Sequence, residues 1–472
     1  MVRRIAFLVL SAVVSSFAQD DEAVVAFKAS FDAGNYQETY EMGGALCATH
    51  PDDSIIRYQY SAAALIVGDF LAVAKVAESD PSIPQLPLFY NSIENLGFGV
   101  YSFYTWMNQL LSLAAMKKVD AALDGIEKAA KFEYRPLLFL HYLLLLHQGR
   151  DAEAEMLRGK WFPQPYDGVT EGELFAKRII PAMRDPKHLD QWLSTAASYD
   201  ETMLLLACVG FRDWLDGNRE GGLERMSRAV AEGNPGSAGI PHVLLSLCLP
   251  PDTSICPLVA PGLHHPRWQK QTTALTAYYK AHADCNWPQV LRQLEQLIAL
   301  SPRDIDHQAI RMLIQLIQGR FREAGETADV ALKNIPWNTN NVLCMRLYRP
   351  LIHLLLNEQV EFRAALVQLG EQEMEYSWKR AVEVLKDPSA FDAVAVEFAD
   401  QADKLGMPLA IRALMAEVDG DYILAETLWM RFITEEPFYK FLEFYLADAR
   451  LKIISPLAAV QRIEDAKNGN TE

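Results

Sequence analysis

The sequence predicts an all-α protein in which pairs of antiparallel helices stack into an array. The first observation is an internal echo: residues 278–337 align with themselves at an offset of 34, so that Cys285 falls on Gly319 and Trp287 on Phe321. The second is a short turn, often Gly-x-aromatic, between two apolar helical stretches. The third is a Pro after the second helix, as in 302 and 336. A period of this size is typical of helical-hairpin repeats.

Each part of the repeat has a physical role. The turn favours Gly because the chain leaves the first helix in a left-handed conformation, which costs other residues energy. The aromatic residue two positions later packs back into the hairpin. A small residue three positions further on, such as Ala324 or Ala425, lets the two helices approach closely. The Pro cannot continue the second helix, so the chain turns to the next hairpin.

In chain order, we expect N-terminal hairpins over 19–161, with turns at Gly34, Gly68, Gly149 and before Val119. Four prolines then interrupt 162–200, which we interpret as an irregular insert or a linker.

One hairpin with a turn at Gly217 and a small residue at Gly222 opens 201–268. An irregular segment from Gly233 to Pro266 completes it, with a short apolar helix over 242–249 and a long loop over 250–265. The length of this loop makes it a candidate functional loop. Further repeats follow over 269–437. Two capping helices, split near Pro456, and a short tail are expected over 438–472, because open arrays need a polar cap.

With these features the chain resembles the tetratricopeptide-repeat (TPR) family. The resemblance is good over 203–236, 271–336 and 406–437, and partial in the N-terminal hairpins. It implies a right-handed α-solenoid of TPR-like hairpins with two irregular inserts. It also implies a concave face, lined by first helices, that often holds a peptide or another protein.

The resemblance places seven first-helix residues on that concave face, and most of them are apolar. These candidate groove residues are Phe211, Trp214, Tyr279, His282, Leu313, Leu316 and Leu414. The first helices show no series of Lys, Arg and Asn residues that could bind the C-terminal carboxylate of a peptide. Two interpretations stay open: the inserts at 162–200 and 233–268 fill the groove and these residues are core, or the groove takes an apolar helix or strand of a partner.

The N-terminus has the pattern of an export signal. Arg3 and Arg4 precede an apolar run over 5–14, and small residues lead to Ala18 before an acidic stretch. Basic, apolar and small-residue regions in this order are typical of a signal peptide. We therefore predict residues 1–18 as a signal peptide cleaved between Ala18 and Gln19, and a periplasmic or extracellular location. An uncleaved anchor is the alternative, although the run is short for a bilayer span.

The net charge of −17 excludes some partners. Nonspecific nucleic-acid binding needs a basic surface that replaces counterions, so neither nucleic acid nor an anionic lipid surface is expected. Solubility is one reason for the acidity, and an acidic groove for a basic peptide is another.

The six cysteines include one pair suited to a disulfide. Cys248 and Cys256 flank a Pro-rich turn, and export would permit oxidation. With His264 and His265 they could instead bind zinc, but the spacing does not match common zinc sites. Two free thiols are the third alternative. We expect neither metal nor cofactor.

The sequence carries none of the common hydrolase, phosphate-loop or metalloprotease motifs. We therefore expect a non-catalytic scaffold that binds or assembles a protein or peptide. The alternative is a helical-toroid glycan hydrolase or lyase, with acids such as Asp213 beside Trp214 or Asp284 near Trp287. A closed ring with two carboxylates ~5–10 Å apart in an aromatic-lined cavity would favour the enzyme.

Overall fold

The computed structural model describes residues 22–80, 82–86, 99–163, 174–196, 198–235, 239–250, 253–263, 265–302, 304–333, 340–370, 376–399, 401–435 and 442–467. Within these ranges the regular structure is helical, with no strand. They divide into two compact units, unit 1 running to Ala277 and unit 2 starting at Tyr278. The predicted cleavage site at Ala18 and Gln19 lies outside the described residues.

Unit 1 consists of helical hairpins and two groups of shorter helices. Its helices are α1 (Glu22–Asp32), α2 (Tyr36–Thr49), α3 (Ser54–Val67), α4 (Phe70–Glu78), α5 (Val100–Ala115), α6 (Val119–Ala129), α7 (Arg135–His147), α8 (Asp151–Trp161), α9 (Ile180–Arg184), α10 (Leu189–Ser194), α11 (Tyr199–Leu215), α12 (Arg219–Glu232), α13 (Gly239–Cys248) and α14 (Cys256–Leu263). The next helix, α15 (Pro266–Ala283), contains the boundary between the units.

Unit 2 continues the same pattern of helices. They are α16 (Trp287–Leu300), α17 (Ile305–Ile317), α18 (Phe321–Leu332), α19 (Asn340–Leu355), α20 (Gln359–Gly370), α21 (Tyr376–Lys386), α22 (Phe391–Glu397), α23 (Ala402–Val418), α24 (Tyr422–Glu435) and α25 (Leu442–Lys467). Packed hairpins recur in both units, including α1–α2, α3–α4, α5–α6, α7–α8 and α11–α12 in unit 1, and α17–α18, α19–α20 and α23–α24 in unit 2.

The hairpin turns confirm the role predicted for glycine. Six glycines have positive φ angles between 69° and 98°, and all lie in turns between paired helices: Gly34, Gly68, Gly149, Gly217, Gly319 and Gly420. Cys285, which aligns with Gly319, has the same left-handed conformation with φ 51°. Lys117 and Asn357 do so in two further turns. Within each unit the predicted fold class, an all-α solenoid of TPR-like hairpins, is therefore confirmed.

Gly149→Ala is expected to lower the free energy of unfolding by about 1–2 kcal/mol, because Ala is strained at a positive φ. A Cβ at this position meets no atom within 4 Å, so conformational strain is the only cause. Gly159 provides a matched control, since it also faces open space but lies inside α8. Gly159→Ala should stabilise by about 0.5–1 kcal/mol. Urea denaturation measures both, and two changes of the same sign would contradict the turn assignment.

Small residues bring the paired helices close together, as predicted. A Cβ on Gly222 of α12 would lie 2.5 Å from the Gly210 carbonyl oxygen and 2.8 Å from the Trp214 backbone nitrogen, both in α11. The equivalent Ala324 and Ala425 of unit 2 are fully buried. Close approach of this kind leaves no space for a larger side chain.

The irregular segment at 233–268 folds back onto the first helices of unit 1. Helix α13 packs against α5 and α11, and α14 packs against α3 and α12. A Cβ on Gly239 would lie 3.2 Å from Leu111 Cδ1, and one on Gly68 would lie 3.1 Å from Ile255 Cγ1. Lys117 donates a hydrogen bond to the Leu249 carbonyl. The inner side of these hairpins is therefore covered by the chain itself.

The described part of the segment at 162–200 packs into unit 1. After Phe162 and Pro163 it resumes at Leu174 and forms a π-helical turn, Phe175–Ile179, that leads directly into α9. Arg178 in this turn forms a buried ion pair with Glu201 of α11, with 2.8 Å between Nε and Oε1. Phe175 stacks on Phe139 of α7. These contacts join the segment to the hairpins on either side of it in sequence.

The C-terminal segment differs from the two capping helices expected. Its described residues form one helix, α25, that continues through Pro456, and it packs on α17, α23 and α24. A Pro inside a helix costs about 3 kcal/mol, because it lacks the N–H and crowds the preceding turn. Packing of the buried face, which includes Leu446, Ala447 and Ile454, offsets that cost. Helix α25 therefore covers the inner helices of unit 2 as well as its end.

Candidate functional site

Four of the seven predicted groove residues are core residues. Phe211 in unit 1 and Leu313, Leu316 and Leu414 in unit 2 are at most 6 % exposed. Helix α13 covers the face of α11 in unit 1, and α25 covers α17 in unit 2. For these four residues the structure favours the core interpretation over the groove interpretation, because they are buried and helices of the same chain pack on α11 and α17.

The other three predicted groove residues are half-buried in aromatic contacts. Trp214 stacks on His147 of α7, with 6.1 Å between the ring centroids, and the Arg219 guanidinium lies 5.5 Å from the centre of the Trp214 ring. His282 meets Trp287 and Tyr445 edge to face in unit 2. Tyr279 packs on Tyr278 next to this cluster and is itself half-buried. Such contacts between aromatic rings stabilise each unit.

Cys248 and Cys256 are both free thiols in the structure. Cys248 is buried and Cys256 is exposed, and burial raises the pKa of the Cys248 thiol to about 12. A thiol that stays protonated at neutral pH reacts slowly. The disulfide stays a prediction, which mass mapping of non-reduced peptides tests. Among the described residues no group of three or more His, Cys, Asp and Glu is placed to hold a metal, and His264 lies outside them.

A cavity of about 530 Å³ lies inside unit 1. Its walls come from first helices α3, α5 and α11, from the ends of α7 and α12, and from the covering helices α13 and α14. Most of the lining is apolar, with Leu65, Met107, Leu111, Met203, Leu204, Ile240 and Val259 among its residues. Cavities of about 300–1,000 Å³ with apolar walls and a few polar groups are the usual form of ligand pockets. This cavity is therefore a candidate ligand site in unit 1.

The buried polar residues of the cavity lining include Asn108 and His242. Asn108 is buried and donates its amide to Ser61 Oγ at 2.9 Å, which leaves its carbonyl oxygen as an acceptor. His242 is also buried, with Nδ1 3.4 Å from the Leu65 carbonyl oxygen. If Nδ1 carries the proton, as that contact requires, Nε2 is an acceptor. None of the described lining residues is Lys or Arg.

Two adjacent acids of α11, Asp200 and Glu201, also line the cavity. Glu201 is engaged by Arg178, which in turn donates to Thr195 Oγ1 and to the Trp192 carbonyl, each at 2.9 Å. The two carboxylates come from neighbouring positions of one helix and not from opposite walls. The arrangement that glycoside hydrolysis needs, two carboxyl groups flanking a bound sugar, is not formed by this pair.

The carboxylates that the sequence placed beside tryptophans lie elsewhere. Asp213 forms an ion pair with Arg225 within the α11–α12 hairpin. Asp284 is exposed in the turn before α16. Neither lines the cavity.

His242 makes unit 1 sensitive to acid. Burial lowers the pKa of its imidazole to about 4, while an unfolded chain has a His pKa of about 6.5. As the pH falls from about 6.5 to 4, the unfolded chain takes up a proton that the folded chain does not, so stability falls. Over the whole range from pH 6.5 to pH 4, the free energy of unfolding falls by about 3 kcal/mol.

His242→Phe is therefore expected to reduce the loss of stability between pH 7 and pH 4.5. Urea denaturation at both pH values measures it. The exposed His188 gives a control, and His188→Phe should keep the acid dependence of the unchanged chain. An acid dependence that His242→Phe leaves unchanged would contradict the burial of a neutral ring.

An apolar stripe lies on the outer face of α25. Ile453, Leu457 and Val460 are 39–52 % exposed, while Ile454 and Ala458 of the same helix are buried. The spacing of i, i+4 and i+7 places the three exposed side chains on one face of the helix. The run from 453 to 460, IISPLAAV, has no charged residue. We call Ile453, Leu457 and Val460 the outer stripe.

The sequence reasoning missed both the cavity and the outer stripe. It considered only residues of the first helices as binding residues, whereas helices α13 and α14 complete the cavity. The length of the predicted loop at 250–265 was the available signal, and the structure has helix α14 within it. The outer stripe carried the signal of apolar residues at helical spacing, but α25 was expected to be split at Pro456.

Comparisons with known proteins leave the function open. No known family model matches this chain, and no curated protein matches it. Among solved structures, the chain is similar to the crystal structure of the P58(IPK) TPR domain, with 12 % identity and a TM-score of 0.18 over 94 % of this chain and 99 % of that chain. A TM-score this low gives the likeness no weight. The TPR-like character of the fold rests on the turn geometry and helix packing described above.

Proposed function

We propose that this protein is an exported, non-catalytic scaffold that binds another protein through the outer stripe of α25. The observation that carries the proposal is the exposure of three large apolar side chains on one face of a single, otherwise well-packed helix. Exposed apolar side chains that form a contiguous row are typical of interaction surfaces, whereas scattered ones are not.

The inner faces of both units are already covered, which favours a binding surface on the outside of the protein. Helices α13 and α14 cover the first helices of unit 1, and α25 covers α17 of unit 2. A partner cannot enter these faces without displacing helices that bury a large apolar area. Displacement would cost roughly 25 cal/mol for each Å² of apolar surface exposed again. Binding on the outside of α25 has no such cost.

The chemistry of the outer stripe fits an amphipathic helix from the partner. Its three side chains span about two turns, which is the length that an i, i+4, i+7 set of anchors matches on a facing helix. Because 453–460 is free of charge, docking an apolar face there removes no charged group from water. Pro456 has no N–H, so the Lys452 carbonyl has no helical donor and is available as an acceptor.

A second exposed apolar pair offers a matched control. Val360 and Val367 of α20 are more exposed than the outer stripe, but the charged Glu361 and Arg363 accompany them. They represent ordinary surface valines. Changing them should alter the charge and hydrophobicity of unit 2 without altering the proposed docking face.

The test is quantitative crosslinking and co-purification with the full chain from its native source. The Ile453→Glu/Leu457→Glu variant should lose a reproducible partner at least tenfold, while Val360→Glu/Val367→Glu keeps it. Thermal unfolding should be unchanged in both variants, because all four side chains are exposed.

Two outcomes would overturn the docking proposal. Equal partner recovery from both variants would remove the outer stripe from the interface. Self-association of the pure chain that the outer-stripe variant abolishes, seen in sedimentation, would make a second copy of the chain the occupant instead of a partner.

The export part of the proposal rests on the sequence of residues 1–22. N-terminal sequencing of the protein from its native source should give a mature start at Gln19. A start at Met1 would contradict cleavage. Among the described residues no helix is both long and apolar enough to cross a membrane.

The non-catalytic part of the proposal is tested by a polysaccharide panel. The carboxylates that line the cavity come from adjacent residues, and Glu201 is held by Arg178. We therefore expect no turnover by the full chain. Turnover that Asp200→Asn abolishes would overturn this expectation in favour of the glycan hydrolase or lyase.

A further inference from the structure

We infer that the cavity of unit 1 is a binding site for an uncharged, largely apolar small molecule with a neutral polar group, such as an alcohol. The described lining of the cavity belongs to unit 1. The inference therefore does not depend on the proposed docking of a partner at the outer stripe.

The size of the cavity distinguishes it from a packing defect. Protein interiors are close-packed, and voids larger than a water molecule are few. This cavity has a volume of about 530 Å³, which is many times what one water molecule needs. It is therefore large enough for a small organic molecule.

Buried apolar side chains reach the cavity from four different helices. Leu65 of α3, Leu111 of α5, Met203 of α11 and Val259 of α14 all line it, and each is at most 7 % exposed. Water beside such side chains makes few hydrogen bonds, so an apolar group that replaces the water gains free energy. The walls therefore favour a ligand with an apolar body.

The acids of the lining are already engaged, which disfavours a charged ligand. Glu201 pairs with Arg178, with 2.8 Å between Oε1 and Nε, and Asp200 also interacts with another group of the protein. None of the described lining residues is Lys or Arg. A charged ligand would lose its hydration without gaining a free counter-ion from the described lining, and burial of an unpaired charge is costly. The ligand is therefore expected to be neutral.

The neutral polar side chains of the lining include both hydrogen-bond donors and acceptors. Tyr58, Tyr134 and Ser198 carry hydroxyl groups, which can donate as well as accept. Asn108 has a second amide N–H and a carbonyl oxygen besides the N–H that it donates to Ser61. A ligand hydroxyl matches groups of either kind, whereas a carboxylate only accepts and an ammonium only donates.

The test is displacement of a neutral fluorescent probe, N-phenyl-1-naphthylamine, from the full chain. Octanol, octylamine and octanoate compete with the probe, and they have the same apolar body but differ in charge. We expect octanol to displace the probe at a concentration at least tenfold lower than either ion, because the ions would bury an unpaired charge. Equal displacement by octanol and by either ion would overturn the inference, as would no binding of the probe.

Two variants that fill the cavity locate the probe. Ala62 on α3 and Leu204 on α11 are half-buried lining residues. Ala62→Phe and Leu204→Phe should each weaken binding of the probe at least tenfold. Ala152→Phe adds the same ring on the exposed surface of α8, outside the lining, and should leave binding unchanged. Thermal unfolding shows which variants are folded, and the second filling variant keeps the test decisive where one ring disturbs folding.

The outer-stripe variant separates this inference from the proposed docking. Ile453→Glu/Leu457→Glu should bind the probe as the unchanged chain does, because these residues belong to unit 2. Loss of probe binding in this variant would overturn the cavity as the site, as would unchanged binding in a folded cavity-filling variant. Partner recovery by the outer-stripe variant is measured separately and does not depend on either result.

Discussion

Arg178→Met is expected to lower the free energy of unfolding of unit 1 by about 3–5 kcal/mol. Arg178 and Glu201 have side chains that are 4 % and 3 % exposed, and their Nε and Oε1 atoms lie 2.8 Å apart. Met keeps the apolar stem of Arg but removes the charge. Glu201 would then remain as a buried carboxylate that has lost the cation 2.8 Å away, and burial of a charge without that compensation is costly.

Arg178 also holds the described part of the 162–200 segment together. It donates to Thr195 Oγ1 and to the Trp192 carbonyl, and its guanidinium lies 5.1 Å from the centre of the Trp192 ring. We therefore expect Arg178→Met to increase hydrogen exchange in α9, α10 and the start of α11 before it affects α1–α4. Urea denaturation gives the size of the effect and hydrogen exchange its location.

The Arg178→Met/Glu201→Leu double variant tests the cause. Because no buried charge remains, it should recover most of the stability lost by the single variant. Arg150→Met is the control, since its partner Glu153 is exposed and the pair lies on the surface of α8. Exposed pairs contribute little, so no clear change is expected there. A similar result for Arg150→Met and Arg178→Met would contradict the importance of the buried pair.

Arg450→Met is expected to destabilise unit 2 by a similar amount, about 3–5 kcal/mol. Glu417 of α23 is buried and accepts hydrogen bonds from Arg450 Nε at 2.9 Å and from Trp429 Nε1 at 2.6 Å. The Arg450 guanidinium also lies 5.5 Å from the centre of the Phe321 ring. This one side chain thus joins α25 to both α23 and the start of α18.

The loss of stability in Arg450→Met should begin at α25. Hydrogen exchange should show lost protection in α25 and then in α17, whose apolar face α25 covers, with unit 1 unchanged. Lys452→Met, two residues away, is the control because Lys452 and its partner Asp448 are largely exposed. Protection in α25 that survives Arg450→Met would show that apolar packing alone holds the helix.

The hairpins were predictable because their signals are local. Gly149, Gly217, Gly319 and Gly420 each have the left-handed conformation that a turn after a helix requires, and the sequence shows that requirement directly. The 34-residue offset even placed Cys285 on Gly319, and the structure gives both a positive φ.

The candidate site was less predictable because its parts come from distant segments. Tyr58, Asn108, Asp200 and His242 line one cavity although they lie far apart in the chain. An apolar position at helical spacing shows that a face is buried, but it does not show what buries it. The sequence therefore predicted an inner face for Phe211 and Leu313, which are buried, but it left two interpretations of that face, core or groove.

By itself, the sequence determined the all-α hairpin class, the positions of the turns and the small residues between paired helices. These features depend on backbone conformation and on contacts between residues within about 34 positions of each other, so the local sequence is sufficient to predict them. Only the tertiary structure decided that α13, α14 and α25 cover the inner helices, that a cavity is left in unit 1, and that the outer stripe stays exposed. Burial of apolar surface is non-directional, so the same apolar face can be covered by a partner or by the chain's own helix.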